Sequence, residues 1–143
     1  MFYKINLQYC ISYLGIMPYC LILIDRYIFF EIEKQISTNF ILYYTLIISI
    51  FIGSINWNLL KKIPNTLIVY GFLPSFFSII IIILNLYNFN TSLLFLFLII
   101  FLVGQLFFDY VLIFKELTNK NAFYFLRLPL TFLISIILII LQF

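Results

Sequence analysis

The sequence predicts an all-α integral membrane bundle: five transmembrane helices in a single domain over residues 1–143, amino terminus inside and carboxyl terminus outside. Three observations carry that prediction. The 143 residues are 66% hydrophobic and 9% charged, with a mean hydropathy of +1.21, a composition that water does not keep dispersed. The apolar residues fall into five runs, each near the ~20 residues that a helix needs to cross a ~30 Å hydrocarbon core. The positive charges gather on one side of those runs.

The first run covers residues 6–23, bounded by Lys4 and by Asp25 with Arg26. It contains LGIMPY, whose Pro18 reads as a packing kink or a hinge. No small-residue cleavage pattern follows it, so the expectation is a retained helix and not a removed signal peptide. Cys10 and Cys20 lie ~15 Å apart along this helix, too far to bridge each other. With no histidine in the chain and no CxxC, both cysteines read as buried small hydrophobes, and neither a metal nor a cofactor is expected.

The second run, residues 38–57, ends in GSINW. Ser49, Gly53 and Asn56 recur at i, i+4 and i+7 and form one small, polar stripe, with Trp57 beside it at the interface. On the third run, residues 66–86, Gly71, Pro74, Ser75 and Ser78 share a face. Pro74 has no N–H to offer the carbonyl of Tyr70. Small residues on facing stripes let helices approach closely, so these two helices are expected to pack there.

The fourth run, residues 92–114, carries Gln105 and Asp109 one turn apart, and the fifth, residues 123–143, carries Arg127 and Thr131 one turn apart. On consecutive antiparallel helices Asp109 and Arg127 fall at similar depth. An unpaired charge at membrane depth costs at least ~2.5 kcal/mol on insertion scales, and mutual pairing relieves it. The plainer alternative has Arg127 snorkelling to the inner surface with Lys115 and Lys120. Asn56, Trp57, Gln105, Asp109, Arg127 and Thr131 converge on the inner half of the bundle and form the one candidate polar cluster.

Lipid satisfies no backbone groups and the runs are continuous rather than alternating, so helices and not a barrel are expected. The breaks EIEKQISTN, KKIPN, LYNFN and KELTNKN supply charge, Pro64 and asparagines as turn chemistry. With the amino terminus inside, that side collects Lys4, Lys61, Lys62, Lys115, Lys120 and Arg127, against Arg26 and Lys34 on the other. Tyr3, Tyr27, Trp57, Tyr87, Tyr110 and Tyr124 stand near run ends, as interfacial aromatics do. The net charge of +3 forms no aqueous basic cluster, which excludes nucleic acid as a main partner. The bilayer is the first partner.

LGIMPY on the first run, GSINW closing the second, LPSFFS on the third and FLRLPLT opening the fifth resemble, in order and spacing, a family of small multi-pass membrane proteins of unknown function that includes mitochondrial transmembrane protein sixty-nine. Gly53, Trp57, Pro74, Arg127 and Thr131 match its motifs. The family's His or Arg before the tryptophan is Asn56 here, and its following glycine is Asn58. The resemblance implies a multi-pass protein of a bacterial cytoplasmic (inner) membrane or, alternatively, a mitochondrial inner membrane.

Three function classes follow. A non-enzymatic accessory, assembly or structural component, working with other inner-membrane subunits, suits a chain with almost no aqueous domain. A small permease or a lipid or quinone site would use the inner-half polar cluster, although no inverted repeat supports transport. An enzyme is the weakest class: with no histidine, metal-ligand set, serine or cysteine nucleophile next to a base, or phosphate loop, acid–base chemistry would rest on Asp109 and on Glu residues outside the core.

Overall fold

The computed structural model describes residues 7–54, 64–114 and 123–142, and every regular element among them is helical. Five helices there are long and apolar enough to cross a membrane: Cys10–Phe29, Lys34–Ser54, Asn65–Leu86, Thr91–Leu112 and Phe123–Gln142. The chain is a multi-pass, all-α membrane protein. The last three spans match the predicted runs to within two residues.

The first span departs most from expectation. It consists of α1 (Leu7–Leu14) and α2 (Met17–Ile24), interrupted at Gly15 and Ile16. Tight bonds from Gly15 N to the Ser12 carbonyl (3.2 Å) and from Ile16 N to the Tyr13 carbonyl (3.0 Å) close the break. Pro18 then falls in the first turn of α2, where a missing N–H removes no helical bond. Pro18 therefore accompanies a break between helices.

Asp25 and Arg26 do not end this span. The chain continues through a wide π-turn, Asp25–Phe29, closed by Phe30 N on the Asp25 carbonyl at 2.7 Å. Phe30 then turns left-handed, φ 56, and stops the helix. The expectation took the Asp25–Arg26 pair as the boundary of the first run. Instead the Asp25 carboxylate folds back and accepts from the backbone N–H groups of Glu31 (3.3 Å) and Ile32 (3.1 Å), so the side chain is buried. The following helix, α3 (Lys34–Ser54), accordingly starts four residues earlier than residue 38.

Helix α4 (Asn65–Leu86) runs unbroken through Pro74. Its end is written in the LYNFN stretch: Asn88 takes φ 55 and Phe89 N bonds the Leu84 carbonyl at 3.0 Å, a left-handed cap of the kind asparagine tolerates. Asn90 Oδ1 then accepts from Ser92 N at 2.9 Å and opens α5 (Thr91–Asp109). A π-turn, Tyr110–Phe114, follows α5, and another, Phe123–Arg127, leads into α6 (Leu128–Gln142).

The chain divides into two compact units, Thr38–Leu102 on one hand and Met1–Ser37 with Val103–Phe143 on the other. In the first, Ile41, Leu42, Leu46, Ile81, Leu94, Leu98 and Leu102 are buried, and the rings of Phe77 and Phe101 stack at 4.0 Å. In the second, α6 buries Ile134, Ile137, Leu138 and Leu141, the i, i+3, i+4, i+7 face of a helix. There α1 and α2 run parallel to α6. The Tyr13 hydroxyl donates to the Phe125 carbonyl (2.5 Å) at one end, and Arg26 Nη1 donates to the Leu141 carbonyl (2.7 Å) at the other.

Candidate functional site

Four residues of the predicted cluster belong to the unit that contains α6. Asp109 is the last residue of α5 and Arg127 closes the π-turn before α6. Arg127 Nε donates to Asp109 Oδ2, forming an ion pair whose side chains are 13% and 4% exposed, respectively. The ring of Tyr110, just after the acid, meets that of Phe123, at the start of the arginine's π-turn, with centroids 5.3 Å apart. Gln105 and Thr131 are buried as well. Asn56 and Trp57 lie outside the described residues, as do Lys115 and Lys120.

The arginine thus points to the acid, and the lysines of the snorkelling alternative lie outside the described residues. Its Nε and Nη2 form the guanidinium edge that normally grips a carboxylate with two bonds. Here Nε has a partner, while Nη2 is buried with no hydrogen-bond partner among the described residues. Thr131 Oγ1, one turn further along, is also buried and has no partner among the described residues. Buried polar atoms are satisfied as a rule, and each orphan costs roughly 1–3 kcal/mol. The site therefore combines a neutralised charge pair with two unmet donors on one helical face.

The small-residue stripes behave as the sequence predicts. Gly53 lies directly against α4: a methyl group placed on it would meet Pro74 Cγ at 2.7 Å and the Gly71 carbonyl oxygen at 2.8 Å. Gly71, Pro74 and Ser78 are buried and Ser75 is half-buried, and Ser78 Oγ donates to the Pro74 carbonyl at 2.7 Å. This contact is packing and leaves no space for a ligand. Cys10 and Cys20, expected to be buried, are both exposed; each falls on a face of α1 or α2 that the protein does not cover, where a thiol is tolerated as a small apolar group.

Other polar anchors escaped the periodicity argument. Asn85 Nδ2 donates to the Tyr43 hydroxyl (2.8 Å) and to Asn39 Oδ1 (3.4 Å), tying the opposite end of the α3–α4 pair from Gly53. Tyr27 and Arg26 both reach carbonyls in the last turn of α6, Tyr27 to Ile140 at 3.5 Å. Arg26 in effect caps another helix: the last carbonyls of α6 lack intrahelical partners and carry the negative end of its dipole. The usable signal was a charge pair immediately past an apolar run.

No protein-family model matches the chain, and neither the curated proteins nor the solved structures yield a match.

Proposed function

We propose that this chain is a non-enzymatic accessory, assembly or structural component of a membrane complex, seated in a bacterial cytoplasmic or mitochondrial inner membrane with its amino terminus inside. The observation that carries the reading is the closure of Asp109 on Arg127. An ionisable group inside a membrane span is by default a functional candidate, and here the acid and the base neutralise each other across two helices. Asp25 and Arg26 are likewise taken up by backbone groups. Charges used in this way hold helices together.

The motifs LGIMPY, GSINW, LPSFFS and FLRLPLT support placing the chain in the family of small multi-pass membrane proteins that includes mitochondrial transmembrane protein sixty-nine. The lysine distribution supports the orientation. The test is native-gel migration of the tagged protein, mildly solubilised from its own membrane, with mass spectrometry of whatever co-migrates. Co-migration in fixed ratio with a larger complex is expected; a lone bundle or homo-oligomer would overturn the accessory reading.

A second reading is favoured by a separate observation, the orphaned Arg127 Nη2 and Thr131 Oγ1. On that reading the inner-half cluster is a permease or lipid- or quinone-binding site. The same gel would favour it if the protein migrates alone and retains a small molecule.

A further inference from the structure

We infer that Arg127 Nη2 and Thr131 Oγ1 form a two-point donor site for the carbonyl oxygen of a neutral, lipophilic molecule. This inference rests on the second reading above and specifies its ligand chemistry. Thr131 is 2% exposed, and its hydroxyl has no partner among the described residues. Residues one turn apart share a helix face, which brings the guanidinium edge and the hydroxyl to the same side of α6. In a medium that supplies no hydrogen bonds, two such groups together define a place where an acceptor is stabilised.

Charge decides which acceptor. Arg127 is already neutralised by Asp109, so the site offers donors without net positive charge. A phosphate or carboxylate entering it would be desolvated and would face the Asp109 carboxylate. A neutral carbonyl bears acceptor lone pairs without that repulsion. Arg127 lies four residues past Phe123, the first residue of its span, so the donors stand near one end of that helix and not at its middle. Both donor atoms are shut off from water.

The test uses the full chain in nanodiscs of diester phosphatidylcholine and of its diether analogue, which lacks ester carbonyls. Thermal stability is read with and without a short-chain benzoquinone, and with lauric acid as the anionic comparison. If the ester is the ligand, the wild type melts about 3 °C higher in diester than in diether lipid. If a quinone is the ligand, the benzoquinone restores that difference in diether lipid and binds saturably. In both cases Thr131→Val abolishes the response and Thr131→Ser keeps it, while Ser135→Ala, which removes a hydroxyl bonded to the Thr131 carbonyl at 2.8 Å, leaves it unchanged. The valine variant is matched in shape, so in diether lipid without additive it melts no lower than the wild type.

Stabilisation by lauric acid in preference to the quinone and the ester would overturn the neutral-carbonyl assignment while leaving a ligand site standing. No response to any of the three would overturn both the assignment and the binding-site reading. Equal responses in wild type and Thr131→Val would place the ligand elsewhere and overturn the assignment.

Discussion

Arg127 Nε donates to Asp109 Oδ2 across 18 residues of sequence, joining the end of α5 to the turn that opens α6. Removing one partner leaves the other charge buried, which is the costly half of such a pair. Asp109→Asn and Arg127→Gln are each expected to lower stability by about 3 kcal/mol. The double variant recovers part of that loss, with a coupling of at least about 1 kcal/mol in a cycle measured by denaturant unfolding in micelles. Strictly additive losses would show that the pair is not energetically direct.

Gly53 and Gly104 predict opposite responses to the same change. A methyl at Gly53 collides with Pro74 and the Gly71 carbonyl, whereas one at Gly104 meets nothing within 4 Å. Gly53→Ala therefore forces α3 away from α4 and costs about 1–3 kcal/mol, as overpacking does. Gly104→Ala is stabilising by up to about 1 kcal/mol through helix propensity. Unfolding of both variants in one detergent decides it, and equal effects would contradict the packing.

Asn85 is the hydrogen-bond donor that fixes the other end of the α3–α4 pair. Membrane hydrogen bonds average about 0.6 kcal/mol, so Tyr43→Phe is a mild change of about that size. Asn85→Leu breaks both bonds and costs more than Tyr43→Phe. A ranking in the reverse order, by the same unfolding assay, would remove Asn85 from the centre of the network.

Asp25 predicts a local effect without global collapse. Its carboxylate holds the Glu31 and Ile32 amides, so Asp25→Ala is expected to accelerate hydrogen exchange at those two positions by at least about tenfold, the equivalent of ~1.4 kcal/mol. Protection in α4 stays unchanged. Unaltered exchange at Glu31 and Ile32 would mean the turn is held by its backbone alone.

Much of this was legible in the residues. Hydropathy located the spans because the bilayer imposes one length on all of them. The Gly53 contact was legible from a small-residue stripe at helical spacing, and the Asp109–Arg127 pair from two charges at equal depth on antiparallel helices. The Asp25–Arg26 region was misread, because a charge following an apolar run was treated as a boundary when its side chain can instead satisfy backbone groups. Asn39 and Tyr43 share a face of α3 at i, i+4, but their partner Asn85 stands alone on α4, and the sequence does not tell which helix faces which. The π-turns beside Asp109 and Arg127 add one residue to a turn, a shift that an apolar run does not register.

The bond from Arg26 to the Leu141 carbonyl spans 115 residues, which sets an order of events during biogenesis. At synthesis rates of about 5–20 residues per second, Arg26 emerges some 6–23 s before its acceptor exists. The local turn, with Asp25 on the Glu31 and Ile32 amides, needs nothing from α6 and is complete within its own stretch of chain. The arrival of α6, made last among the described helices, then engages Tyr13 at one end and Arg26 at the other. A chain stopped before α6 therefore leaves Arg26 without the carbonyl that it caps in the finished fold.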